Sequence, residues 1–438
     1  MDNRSARSAA GFAAAQRTSG KDARTNTPRE IAAAALGNAL EWFDFITYGY
    51  FATVIAKLFF PVAGPTGSLL LATATFGVGF VVRPLGSLIL GLYGDRVGRK
   101  NALTLTIWLM TAGTAFIAIA PPYQQAGWIG ASMLVLARLI QGFAASGEYG
   151  SAVAFLAEKA PATRRNLYVS IQMSTTMLAI VAGGAVGTWL THTLSQAQLE
   201  SWGWRVPFVI GLLIGPVGFY VRKHVAEPNL LTQAERLSTK AVIVQLFAAQ
   251  LRTTLAAIGV TIVGTVAFYL NLIYMPTFAV RQLGLPLSAP FMSTAVAGLV
   301  MAICAPAAGL LADLKFRPVI LFSVATAAIA LLTYPFYAWL IRYPTLTNLL
   351  LMQAALAIPM GTISGLVPAV VSRLFPPEVR STGLSISYNI PTTGFGGLSP
   401  LIVTYLISTT ANKAAPAFYI VAAAGLSLLA AMVLPRAR

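Results

Sequence analysis

The sequence predicts an all-α integral membrane protein, with twelve transmembrane helices arranged as two pseudo-symmetric six-helix bundles. Three observations predict it. The 438-residue chain is 57% hydrophobic and only 10% charged, with a mean hydropathy of +0.73, outside the range of soluble domains. Its apolar residues gather into twelve stretches, and about twenty apolar residues cross a bilayer as a helix. A polar motif between two of these stretches, Gly91-Leu-Tyr-Gly-Asp95-Arg96-Val-Gly98-Arg99-Lys100, returns in the second half as Gly309-Leu-Leu-Ala-Asp313-Leu-Lys-Phe-Arg317. The glycine, the aspartate four residues on and the arginine four beyond it recur in register. Pro161 with Arg164 and Pro377 with Arg380 repeat in the same way, so the halves read as copies of one unit, a parallel repeat.

Residues 1–30 carry arginine, serine and threonine but no continuous apolar core, so they read as a disordered basic tail rather than a cleavable signal. The first bundle is expected over 31–222, with spans at 31–55, 68–93, 101–120, 130–157, 168–192 and 205–222. Small residues four apart in the fifth span, Gly183 and Gly187, allow close helix approach where no hydrophobic effect drives association. Trp202, Trp204 and Arg205 open the sixth span and suit an anchor at the outer membrane interface. A polar linker follows over 223–245. The second bundle, 246–434, has spans at 249–276, 286–312, 318–341, 346–372, 381–410 and 416–434, before a tail at 435–438. Short loops make successive helices antiparallel neighbours.

A net charge of +17 would point to nucleic acid in a soluble chain, but its distribution excludes that here. Of 30 Lys and Arg, 23 fall on the side of the N-terminus, five on the other side, and Arg83 and Arg138 within spans. This positive-inside bias places both termini in the cytoplasm and assigns the charge to topology and anionic lipid. The single cysteine, Cys304, excludes an internal disulfide or a cysteine metal cluster. His192 and His224 sit at opposite membrane edges, which argues against a histidine relay. With no phosphate loop, nucleophile elbow or paired metal ligands, the sequence suggests no enzyme, no cofactor and no metal.

Five ionisable residues lie at bilayer depth: Glu41, Asp44, Arg83, Arg138 and Glu148. Each costs roughly 3 kcal/mol to insert at a helix centre, so such groups face a cavity or bundle interior and pair or bind something. All five belong to the first bundle, so any proton-coupling carboxylate must be Glu41, Asp44 or Glu148. Glu41 and Asp44 are three apart and share a helix face with Asn38. Close carboxylates favour a shared proton, and a neighbouring arginine opposes that. Arg83, followed by Pro84, can receive a carboxylate in a bidentate fork or hold a permanent ion pair with Glu41 or Asp44. Arg138 can bind substrate or pair with an acid in one state only. The second bundle contributes neutral hydrogen-bonding groups, Asn271 with Tyr274 and Tyr388 with Asn389.

These motifs resemble the major facilitator superfamily from about Leu36 to Pro435. The 91–100 loop is similar to that superfamily's signature between helices two and three, and Arg138-Leu-Ile-Gln-Gly142 to its fourth-helix motif. Four blocks resemble its metabolite:proton symporter branch: Gly37–Phe45, Arg83-Pro84-Leu-Gly86, Gln141–Gly150 and Trp202–Phe208. Tyr168-Val-Ser-Ile-Gln172 resembles the citrate and tricarballylate symporters most, which adds Gln172 to the expected site. Branch members that take up osmolytes carry a long C-terminal extension, and the chain's end four residues after its last helix leads to the expectation of a non-osmolyte substrate. The fifth helix reads Ala182-Gly-Gly-Ala-Val-Gly187 without the exchangers' glycine-proline signature, which leans towards symport.

The resemblance implies a monomeric carrier in a bacterial-type inner (plasma) membrane, importing a small di- or tricarboxylate with protons by alternating access. Arg83 is the leading anion ligand and Arg138 the second. Gln172, Asn271, Tyr274, Tyr388 and Asn389 complete the site, and Glu41, Asp44 and Glu148 are the coupling candidates. Gly91, Asp95, Arg96, Gly98, Arg99, Asp313, Arg317 and Arg380 form the gate, with Asp95 latching against Arg380 or the start of the eleventh helix, whose N-terminal dipole favours an anion. The second-half copy has Leu314 and Phe316 in place of Arg96 and Gly98, which implies a different latch on that side. The alternatives are a zwitterionic or neutral substrate such as proline, betaine or shikimate, an efflux exchanger, and a transporter-like sensor.

Overall fold

The computed structural model describes residues 27–97, 99–146, 150, 153, 156–157, 160–213, 215–217, 246, 248, 250–314, 316–376 and 379–434. Side chains at 27–37, 40, 88, 91–92, 94–96, 99–100, 102–103 and 162 are not described. Of the tail expected over 1–30, residues 1–26 fall outside the described residues and 27–30 open the first helix; the linker at 223–245, the end at 435–438, Gly98 and Glu148 also fall outside.

Among the described residues the long helical segments group into twelve helices, and no strand occurs. In the first bundle α1 is Thr27–Tyr50 carried on by Ala52–Phe59, α2 is Gly64–Val81 carried on by Arg83–Val97, and α3 is Arg99–Ile119. Then come α4 (Trp128–Ala144), α5 (Arg165–Thr193) and α6, described as Val206–Gly211. In the second bundle α7 is Leu251–Phe268 with Met275–Leu283, α8 Ser288–Leu314, α9 Pro318–Arg342 and α10 Leu346–Ser372. The last two are α11, Arg380–Pro391 with Ser399–Thr410, and α12, Ala415–Val433. Among the described residues, eight helical stretches are long and apolar enough to cross a bilayer by length and composition. The first helix is not among them, because Glu41 and Asp44 interrupt its apolar run.

Two expected spans run on as helices but are locally irregular. Tyr269–Ile273 in α7 and Thr392–Gly397 in α11 are π-helical turns. Prolines explain both, since a proline has no N–H to give back to the preceding turn. Pro276 follows the first π-turn, and Pro391 and Pro400 flank the second. The freed carbonyl of Gly396 accepts instead from the Ser399 hydroxyl at 2.5 Å.

Large apolar side chains such as Leu299, Ile303, Leu331 and Met432 are exposed on the outer faces, where lipid rather than water covers them. The interior is closely packed. A Cβ on Gly142 of α4 would lie 1.7 Å from the Gly79 carbonyl oxygen of α2. No residue other than glycine fits there, and Gly142→Leu is expected to prevent folding, read as loss of the monodisperse detergent-extracted peak. At the end away from the basic loops, Lys57 Nζ meets Glu200 at 2.7 Å. Burial alone would raise the Glu200 carboxyl, but hydrogen bonds from Lys57 and Gln196 outweigh it and hold it below the usual range. Arg205 donates to Ala118 O and Ala120 O at 3.0 and 2.9 Å, tying α6 to the end of α3. The expected tryptophan pair splits here: Trp202 is exposed, whereas Trp204 is fully buried against Phe59 and Phe208. The Trp204 ring is a core residue, because the turn Gly203–Arg205 points it inward.

The bundles meet along α5 with α8 and along α2 with α11, and contacts close both ends. At the basic end, Asp313 accepts from the backbone N–H of Asn166 and Leu167 at 3.0 and 2.9 Å, and Arg373 donates to Asn166 Oδ1 at 2.9 Å. At the opposite end, Arg281 donates to Pro65 O at 2.9 Å, and Phe291 of α8 packs on Tyr50 and Phe51 of α1.

Candidate functional site

Four helices from both bundles enclose one small polar cavity. Its lining is Asn38, Glu41, Trp42 and Phe45 of α1, Arg83 of α2, Ala145 just beyond α4 and Tyr388 of α11. Its volume of about 30 Å³ admits a water or two but no metabolite. Contacts among the described residues tie the bundles together at both ends, so a larger ligand requires the bundles to part.

Arg83 is placed by the break in α2, where Val82 ends one helix and Arg83-Pro84 begins the next. It is 3% exposed, its guanidinium lies 4.6 Å from the Phe80 ring centre and 5.1 Å from that of Phe45, and its Nε has no hydrogen-bond partner among the described residues. Tyr388 lies within hydrogen-bonding reach of Arg83 and Thr392, with Glu41 nearby. Cation–aromatic contacts hold a desolvated guanidinium without using up its donors. The result is a cation with hydrogen-bonding capacity to spare at the bundle interface.

A second polar cluster lies deeper in the first bundle. Asp44 is fully buried and its Oδ2 accepts from Thr114 Oγ1 at 2.7 Å and from Gln141 Nε2. The Gln141 Oε1 accepts from Arg138 Nη1 at 2.9 Å. Asp44 and Arg138 are thus joined through one amide rather than by direct contact. Gly211 of α6 lets this happen, because a Cβ there would lie 3.1 Å from Asp44 Oδ1. Arg138 is fully buried among the rings of Phe45, Tyr48 and Phe76, with centroid distances of 3.9, 4.9 and 5.0 Å. Its Nε and Nη2 and the Asp44 Oδ1 have no hydrogen-bond partner among the described residues. It does not line the cavity, and the Phe45 ring, which does, covers it.

The other expected site residues divide. Gln172 and Asn38 are linked at 3.3 Å, and Asn38 donates to Thr175 and Thr176 at 2.8 and 3.1 Å, at the cavity's edge. Asn389 donates to Ser146 O at 3.2 Å across the bundle interface. Asn271 instead faces the interior of the second bundle, engaged by Tyr337, Met360 and Gln353. Tyr274 accepts from Thr404 at 3.1 Å in that same interior. Neither joins the cavity, since the π-turn over Tyr269–Ile273 rotates the helix face that a regular spacing would present. Tyr269, absent from the sequence reading, is brought to the interface by that turn and packs on Phe80 at 5.2 Å.

Of the gate residues, Asp313 is engaged as described above, Arg380 donates to Phe375 O at 3.3 Å, and Arg317 is exposed at the start of α9. Gly91, Asp95, Arg96 and Arg99 lie in or next to helix ends, and their side chains are outside the described residues. A carboxylate with two backbone N–H donors at a helix start is worth about 1–2 kcal/mol, so losing its charge shifts the closed-to-open balance roughly tenfold. Asp313→Asn is therefore expected to raise about tenfold the labelling rate, from the basic end, of a cysteine placed at Ala145 in a Cys304→Ser background.

Gln141 and Thr114 join this cluster although the sequence reading gave neither a role. Gln141 carried a signal, since it stands one helical turn after Arg138. Thr114 carried none.

Comparison with known proteins agrees with this architecture. The family model described as Major Facilitator Superfamily matches residues 34–386. The chain is 33% identical to a citrate-proton symporter of Salmonella typhi over 94% of both chains, and 34% identical to that of Klebsiella pneumoniae over 91% of this chain and 90% of the other. It is 31% identical to the proline/betaine transporter of Escherichia coli (strain K12), over 92% of this chain and 82% of that one. The crystal structure of a D-xylose-proton symporter superposes with a TM-score of 0.71 at 17% identity, covering 93% of this chain and 98% of the other, and shares the fold.

Proposed function

The chain belongs to the Major Facilitator Superfamily, and from that premise we propose that it is a secondary active transporter importing a citrate-like di- or tricarboxylate with protons by alternating access. The observation that carries this reading is Arg83, a buried guanidinium lining the cavity between the bundles with an unpartnered donor. A buried guanidinium with a spare donor is matched by a carboxylate, whose oxygens suit its planar fork. Arg83 and Tyr388 hold the anion, Asn38, Gln172 and Asn389 stand at the margins of the site, and Asp44 carries the coupled proton from its position beside Gln141. By repeat symmetry with Asp313, which caps α5, Asp95 caps the start of α11 near Arg380 when the basic end is closed.

The Lys and Arg bias of 23 to five supports cytoplasmic termini in an inner membrane. The carrier acts as a monomer, since the two bundles of one chain supply the cavity lining between them.

Uptake of labelled citrate into proteoliposomes under an inward proton gradient tests this reading, with a protonophore control and unlabelled competitors. Gradient-dependent uptake competed best by carboxylates supports it. A second reading has its own observation: Glu41 shares the cavity with Arg83 beside Trp42 and Tyr388, and an acid, a cation and aromatic rings suit a zwitterion. Competition by betaine or proline over every carboxylate would favour that reading and overturn the first.

A further inference from the structure

The Thr114 hydroxyl has one proton and two acceptors. It stands 2.7 Å from Asp44 Oδ2 and 2.9 Å from the Met110 carbonyl oxygen of its own helix. An ionised Asp44 takes that proton as a hydrogen bond. Once Oδ2 is itself protonated, its O–H needs an acceptor, and Thr114 Oγ1 becomes one by turning its own proton to Met110 O. Neither state requires backbone movement or leaves the hydroxyl unpaired. Gln141 has no such freedom, because its amide gives Nε2 to Asp44 and Oε1 to Arg138. Protonation makes Oδ2 a poorer acceptor and loosens the amide, and so loosens its hold on Arg138 Nη1. Thr114 Oγ1, at 3.3 Å, is the remaining partner for Nε2.

We propose that Thr114 and Gln141 are positioning residues that make Asp44 a two-state proton site, Thr114 by satisfying both protonation states and Gln141 by passing the state on to Arg138. This rests on the reading of Asp44 as the residue that carries the coupled proton. The surroundings keep the switch simple. Among the described residues, α4 sets the charge of Arg138 against Asp44, α3 presents Thr114, α6 presents Gly211, and Glu41 stands one turn before Asp44 on α1 itself. Arg138 itself faces Asp44 and Tyr48 of α1, Arg83 of α2 and Tyr269 of α7. Its Nε and Nη2 have no hydrogen-bond partner among the described residues, and the rings of Phe45, Tyr48 and Phe76 lie against it, so release of Nη1 frees the guanidinium to tilt. With Asp44 neutral, the charge of Arg138 is no longer offset and adds to that of Arg83, so an anion at the Arg83 site is held more strongly. Proton loading at Asp44 is thereby felt at the substrate cavity through one glutamine.

Infrared difference titration of the purified full-length protein reads the carboxyl directly and does not depend on which substrate is carried. The variants are Asp44→Asn, Thr114→Val, Thr114→Ser and Gln141→Leu. A protonated-carboxyl band that disappears in Asp44→Asn identifies the group. In Thr114→Val, which keeps the shape but removes the donor to the charged form, the titration midpoint is expected to rise by about 1–2 pH units, and Thr114→Ser is expected to restore it. Gln141→Leu is expected to move the midpoint and to reduce proton-driven citrate uptake at least tenfold while exchange continues. Wild-type midpoints in both Thr114→Val and Gln141→Leu overturn the proposal. Full proton-driven uptake in Asp44→Asn overturns instead the reading of Asp44 as the coupled carboxylate, whatever the Thr114 variants show.

Discussion

Asp44→Asn is expected to abolish proton-driven accumulation of substrate while leaving exchange of internal for external substrate running. Asparagine keeps the shape of the side chain and can still bond Thr114 and Gln141, so the bundle folds. What it loses is the charge that takes up a proton on one side of the membrane and gives it up on the other. Moving one charge through a potential of 100 mV supplies about 2.3 kcal/mol, so a carrier that loses one coupled proton forfeits roughly fifty-fold accumulation. The steady-state ratio of internal to external citrate at an imposed potential measures this, with counterflow in the same vesicles as the control. An accumulation ratio equal to wild type would remove Asp44 from the coupling step and move the role to Glu41 or Glu148.

Arg83→Ala is expected to weaken substrate binding at least thirty-fold. Removing one member of a buried, hydrogen-bonded charge pair costs about 2–5 kcal/mol, because the partner charge is left desolvated and alone. No other cation can take over the role from where it stands. Arg138 is sealed behind Phe45, and the second bundle brings no charged residue to the cavity lining. Arg83→Lys should recover only part of the loss, since an ammonium is a point charge without the planar fork. Equilibrium titration of citrate onto detergent-solubilised protein decides it. Wild-type affinity in Arg83→Ala would remove Arg83 from recognition altogether. A fall in transport with affinity preserved would recast it as a residue of the moving interface.

The two substitutions differ in kind, and the structure explains why. Arg83 lines a cavity shared by both bundles, so its loss is read in binding. Asp44 is buried within the first bundle, linked by Gln141 and Thr114 to helices α4 and α3, so its loss is read in coupling.

The hydrophobic pattern and the repeated loop were enough to determine the class, the twelve spans and the two bundles, because a bilayer leaves a chain few ways to satisfy its backbone. The expense of burying charge likewise makes Arg83, Asp44 and Arg138 stand out in the sequence. Position along a helix says which residues share a face only while the helix stays regular. The π-turns beside Pro276 and Pro391 break that regularity, which is how Asn271 and Tyr274 turn away from the cavity and Tyr269 turns towards it. Contacts between helices distant in the chain were equally out of reach. Thr114 is an ordinary helix threonine in sequence, and only the packing of α3 against α1 and α4 sets its hydroxyl on Asp44. Ionisable residues declare themselves by the free energy of burying them, whereas their neutral partners are decided by tertiary geometry alone.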